Sequence, residues 1–106
     1  VYTGVEEGDI VAVWGLGPIG FMACFWAFYN CAKRVIGIDN NWRCDYAESK
    51  IPGLETINYS KLNSDESVPT KIYEMVPRGV DKYIDATGGE YGKSWTYKME
   101  LATSTE

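Results

Sequence analysis

The sequence contains no histidine. That single absence removes Ser-His triads, imidazole proton shuttles and most zinc and haem sites. Cysteine is scarce as well: Cys24, Cys31 and Cys44 make three, with no Cys-x-x-Cys pair among them. An odd count set among apolar neighbours reads as reduced core thiols of an intracellular, cytoplasmic protein. Positive charge is in deficit, with 10 Lys and Arg against 15 Asp and Glu and a net charge of -5. Nucleic acid and acidic membrane surfaces are therefore poor partners. The longest apolar run, 19–29 with Gly20 inside it, is about half of what a membrane crossing needs. No secretory signal is visible either, and Val1-Tyr2-Thr3-Gly4 reads as an opening cut from something longer.

What remains is a chain of 106 residues, 45% of them hydrophobic, enough for one globular core. Ile10-Val11-Ala12-Val13-Trp14 has the length and continuity of a strand covered on both faces. Helical patterning runs over 18–30, where Phe21, Phe25 and Phe28 form one stripe and Met22, Trp26 and Tyr29 another. One of these stripes is expected to face a sheet. A second buried-type strand, 34–38, stops at Asp39 and is followed by a helix with Trp42, Tyr46, Ala47 and Ile51 on a common face, closed by Pro52-Gly53. A shorter strand at 55–59, a polar loop at 60–66, a helix at 67–76, a fourth strand at 80–86 and a last helix at 94–102 complete the reading. Strands alternating with helices through short connections call for a doubly wound α/β fold: a parallel sheet of four strands in the order 3-2-1-4.

Gly15-Leu16-Gly17-Pro18-Ile19-Gly20 lies where the first strand turns into the first helix. Three glycines shaping a sharp turn would have the same spelling, so position carries the weight. In a nucleotide-binding turn Gly15 permits the tight bend, Gly17 lets a pyrophosphate approach the backbone, and Gly20 lets the helix pack close to the strand. The amides at the helix start then face the anion. Pro18 preorganises the first helical position but offers no N–H, which makes Ile19 the leading amide donor. Asp39 follows Gly20 by 19 residues, the spacing of a carboxylate that accepts from the adenosine ribose. It favours NAD over NADP, although Arg43 could neutralise part of the penalty on a 2′-phosphate. As a helix N-cap Asp39 has competitors in Asn40 and Asn41. A methyltransferase-like domain is disfavoured because Val13-Trp14, not an acid, precede the turn.

Several stretches together resemble a known family. Glu7-Gly8-Asp9, Val11 through Gly20, Ala32-Lys33-Arg34-Val35-Ile36-Gly37-Ile38-Asp39, Glu55-Thr56-Ile57-Asn58-Tyr59, Gly79-Val80-Asp81 and Ile84-Asp85-Ala86-Thr87-Gly88-Gly89 are similar to the coenzyme-binding, Rossmann domain of zinc-dependent medium-chain alcohol dehydrogenases. The look is nearest to formaldehyde dehydrogenase-like members. The resemblance implies hydride transfer between an alcohol or aldehyde and nicotinamide, with zinc held in a separate catalytic domain that this chain lacks. Residues 1–106 would then be a single truncated NAD(P)-binding domain, inactive alone, whose partners are the dinucleotide, the missing catalytic domain and a second copy of itself. Carried over by position, Gly15, Gly17, Pro18, Ile19 and Gly20 match the pyrophosphate turn, and Asp39 the ribose acid. Asn40 and Arg43 match its surroundings, and Thr87 and Gly88 the loop on the adenosine side. A noncatalytic nucleotide-sensing or structural module is the alternative of another class. Two departures stand out: relatives carry glycine near Cys31, where Asn30 is expected to supply the left-handed residue, and Lys82 sits in a strand position usually apolar.

Overall fold

In a computed structural model, which describes residues 4–86, the strands are β1 (Ile10–Trp14), β2 (Arg34–Asp39), β3 (Glu55–Asn58) and β4 (Lys82–Asp85). The helices are α1 (Pro18–Tyr29), α2 (Asn41–Lys50) and α3 (Val68–Met75), with a 3-10 turn at Tyr59–Lys61. The expected last helix at 94–102 lies outside the described residues. All neighbouring strands pair in parallel, in the order β3-β2-β1-β4. This is the α/β architecture expected from the alternation of apolar runs and helical segments.

Alternation along the central strands divides the core into two layers. Val11, Val13 and Val35 point to the side covered by α1 and α2, where they meet Cys24, Ala27, Cys44, Ala47 and Ile51. Ala12, Trp14, Ile36 and Ile38 point to the other side and meet Val68, Ile72 and Val76 of the α3 segment. Tyr83 and Ile84 of β4 continue the division, one to each layer. Arg34 ties the lower edge together: its guanidinium forks onto Glu55 at 2.9 and 2.6 Å and donates to the Met75 carbonyl at 2.9 Å.

Three details differ from the sequence reading. The fully buried side of α1 is Gly20, Cys24 and Ala27; of the phenylalanine stripe, Phe21 and Phe28 pack half-buried against the sheet's core layer, while Phe25 and the whole Met22, Trp26 and Tyr29 stripe are exposed. Small residues let the helix axis approach the strands, so Phe21 and Phe28 reach the core only from the helix's flanks. On α2 the buried side is Cys44, Ala47 and Ile51, while Trp42 and Tyr46 are 65% and 50% exposed. The rings instead meet one another, Trp42 edge-to-face with Tyr46 and Tyr46 tilted against Phe21. Finally, the left-handed residue after α1 is Cys31 itself, at φ 65, whereas Asn30 has φ -89.

The thiols also separate. Cys24 and Cys44 are buried but Cys31 is exposed, so the expectation of core thiols holds for two of the three. Burial pushes the Cys24 thiol up to about 12.

Candidate functional site

The C-terminal ends of β1 and β2 lie side by side, Trp14 opposite Ile38 in the parallel register. A crevice at this end of adjacent strands is where open α/β sheets place ligands. The Gly15 N–H donates to the Ile38 carbonyl at 2.8 Å, adding a further rung to the ladder. The chain then leaves β1 through Gly15 at φ 97, a left-handed conformation open to glycine at little cost. Gly20 closes the turn. A Cβ built there would stand 1.6 Å from the Gly15 carbonyl oxygen and 3.3 Å from the Ala86 Cβ, so helix and turn touch where only hydrogen fits.

Gly17 behaves differently. It is the N-cap of α1 at φ -72 and ψ -168, a conformation any residue adopts. A Cβ there would meet nothing nearer than Arg43 Nη1, at 3.8 Å. Among the described residues, a methyl there would meet only the tip of that flexible side chain, at ordinary contact distance. Pro18 is the first helical residue, as expected, and the first intrahelical bond runs from Phe21 N–H to the Gly17 carbonyl. The amides of Ile19 and Gly20 precede that bond, at the positive end of the helix dipole. Ile19 itself is 73% exposed.

Asp39 ends β2 and is buried, with 4% of its surface exposed. Its Oδ2 accepts from the Leu16 N–H at 2.7 Å and its Oδ1 from the Asn40 N–H at 2.6 Å. Arg43, one helical turn on, brings Nη1 within 3.5 Å of Oδ2, and its guanidinium lies 5.6 Å from the centre of the Trp42 ring. Asn40 is the N-cap of α2, yet its side chain makes no capping bond. Among the described residues its buried Oδ1 has no hydrogen-bond partner, an acceptor lacking a donor beside the carboxylate.

The fold therefore brings Gly15, Gly17, Pro18, Ile19, Gly20, Asp39, Asn40 and Arg43 to one end of the sheet. Thr87 and Gly88 lie outside the described residues. Leu16 was not singled out from sequence, although its N–H joins the turn to β2. Gly37 was a signal for it. A glycine inside a strand marks a close approach, and a Cβ at Gly37 would come within 2.7 Å of Leu16 Cδ2. Among the described residues, no group of three His, Cys, Asp or Glu side chains is placed to hold a metal ion. No helix among them is long and apolar enough to cross a membrane.

A zinc-type alcohol dehydrogenase-like protein of Schizosaccharomyces pombe is 40% identical over 103 residues, covering 96% of this chain and 23% of its own. The chain is similar to zinc-type alcohol dehydrogenases. A geraniol dehydrogenase of Carpoglyphus lactis is 57% identical over 85 residues, which cover 79% of this chain and 21% of that one. Among solved structures, an alcohol dehydrogenase from Thermus sp. ATN1 matches with a TM-score of 0.74 at 30% identity, over 90% of this chain and 27% of its own. No family model matches. The chain thus spans about a quarter of the length of the alcohol dehydrogenases it matches.

Proposed function

We propose that this chain is the adenosine and pyrophosphate half of a nicotinamide dinucleotide site, within an NAD-dependent, zinc-type alcohol dehydrogenase-like oxidoreductase. The observation that carries the reading is Gly17. Gly15 is required by its backbone angle and Gly20 by its contact, but nothing inside the described chain requires glycine between them. An incoming group that must approach this backbone does require it, and the amides of Ile19 and Gly20 define that group as an anion. The unpartnered Asn40 Oδ1 and the carboxylate of Asp39 offer acceptors for ribose hydroxyls next to it.

When bound, the nicotinamide ring supplies the hydride acceptor or donor for an alcohol–aldehyde pair. This chain's residues hold the opposite end of the dinucleotide. Ile19 and Gly20 amides meet the pyrophosphate, Asp39 and Asn40 orient the ribose, and Arg43 borders it. Asp39 supports NAD over NADP because an additional phosphate would face a carboxylate. The described residues do not fit a zinc site, and no step is assigned to the metal. The short span relative to the dehydrogenases supports a truncated domain whose zinc and substrate contacts lie elsewhere. Its further partners would be that catalytic domain or a second copy, either of which could cover Met22, Trp26 and Tyr29, exposed on α1.

Gly17→Ala tests the reading. The protein leaves room for the methyl, so the unfolding free energy should change by no more than about 1 kcal/mol, the size of a helix-cap effect. ADP-ribose affinity, measured by calorimetry, should fall about tenfold or more, as when one charge-assisted hydrogen bond is lost. Equal affinity for both proteins, or no binding by the wild type, would remove the assignment. For nucleotide choice, Asp39→Ser should shift the NAD to NADP dissociation-constant ratio toward NADP by roughly 1–3 kcal/mol; an unchanged ratio with the fold intact would take Asp39 out of the ribose site.

A further inference from the structure

A carboxylate withdrawn from water must be met by donors, and the donors around Asp39 show where it acts. Asp39 stands at the end of β2, but its Oδ2 reaches across to the N–H of Leu16 at 2.7 Å, inside the glycine turn of the neighbouring strand. Oδ1 holds the Asn40 N–H at 2.6 Å, the amide of the residue that caps α2. One side chain therefore joins the turn after β1 to the start of α2, with Arg43 drawn against it at 3.5 Å. Leu16 is also gripped from below, since its methyl groups fill the gap left by Gly37.

We infer that Asp39 is a positioning residue for the anion-binding turn: by holding Leu16 it fixes the path from Gly15 to Gly17 and hence the aim of the amides that begin α1. This rests on the dinucleotide reading and deepens it, because it gives the carboxylate a task that a ribose is not needed to perform.

The two roles predict opposite signs for an anion without a ribose. As a plain negative charge beside a phosphate site, Asp39 opposes anion binding, and its neutralisation also releases Arg43. On that basis alone Asp39→Asn would strengthen the binding of inorganic pyrophosphate. As a strut, it must weaken it. The asparagine amide has a single acceptor oxygen, and its NH2 group faces one backbone N–H whichever way it turns, so one of the two backbone bonds is lost. If the turn then spends about a tenth of its time in the competent conformation, apparent affinity falls about tenfold.

The test is an NMR titration of the 106-residue chain, wild type and Asp39→Asn, with inorganic pyrophosphate and separately with ADP-ribose, together with hydrogen exchange at the Leu16 and Asn40 amides. The expected results are a protected Leu16 amide in the free wild type and, in the variant, faster exchange and an altered shift at whichever of the Leu16 and Asn40 amides has lost its acceptor, since either loss unties the turn from α2. Pyrophosphate affinity should be about tenfold weaker, and the loss for ADP-ribose larger. A variant that binds pyrophosphate as well as the wild type, or better, with its loss confined to ADP-ribose, overturns the inference and leaves the ribose role standing. Wild-type binding of ADP-ribose without measurable binding of pyrophosphate overturns it too. If the wild type binds neither ligand, the dinucleotide reading fails, and with it the functional role of the strut. An unprotected wild-type Leu16 amide refutes the strut directly and needs no variant that folds.

Discussion

Between Gly15 and Gly20 three glycines meet three different demands. Gly15 answers to a torsion angle and Gly20 to a contact, while at Gly17 the described residues leave room for a methyl beside the tip of Arg43. Substitution should separate them. At Gly20 a side chain would drive into the Gly15 carbonyl, which is backbone and cannot step aside. Gly20→Val should therefore cost more than the ~3 kcal/mol upper end of ordinary overpacking, and thermal denaturation should show loss of the cooperative transition together with binding. At Gly37 the obstacle is the tip of Leu16. A side-chain end can pivot, so Gly37→Ala should fold with a loss of about 1 kcal/mol. A Gly20→Val protein that melts like the wild type would mean that α1 does not pack on the turn as described.

At the scale of elements, α1 shows how a helix can be rich in rings yet bury none of them fully. Its contact side is Gly20, Cys24 and Ala27, and the helix is brought back into β2 by Cys31 at φ 65. A non-glycine residue there carries a strain of about 1–2 kcal/mol. Cys31 is exposed, so its side chain contributes little packing in return. Cys31→Gly should raise the unfolding free energy by about 1 kcal/mol, read as a higher denaturation midpoint, after the greater entropy of the unfolded glycine is offset. A destabilised Cys31→Gly protein would show that the thiol makes a contact outweighing the strain. α3 is the conventional helix of the set: Ser67 caps it through Thr70 N–H, and Val68 and Ile72 share one buried side. Its span was legible in the helical spacing of Val68, Ile72, Met75 and Val76, with Pro69 tolerated in the first turn.

Across the whole molecule, the Arg34–Glu55 fork joins β2 to β3 and reaches the end of α3. The hydrogen bond from Arg34 holds the Glu55 carboxyl below its ordinary value of 4.5. A carboxyl depressed in the folded state contributes stability above its unfolded pKa and loses it as pH falls through the folded one. Stability should thus decline below about pH 4.5, and Glu55→Gln, which cannot titrate, should reduce that decline while lowering stability at neutral pH. Circular dichroism melts of both proteins between neutral and acid pH check this. Parallel pH profiles would show that the fork is not part of the acid response.

The sequence by itself determined the strand order, the glycine turn and the position of Asp39, because each depends on local patterning: apolar runs of strand length, helical spacing and a fixed interval between motif and acid. It did not determine which sides of α1 and α2 are buried. Periodicity marks apolar residues, but contact with a sheet selects small ones when helix and strand come close, so Cys44 takes the buried place expected of Trp42 and Tyr46, and Cys24 the centre of the α1 contact, leaving Phe21 and Phe28 at its margin. Nor could it show that Cys31, not Asn30, takes the left-handed angle, since that depends on how the chain re-enters β2. The bond from Leu16 to Asp39 spans 23 residues. It exists only because parallel pairing sets two strand ends side by side, and no local pattern in the chain records it.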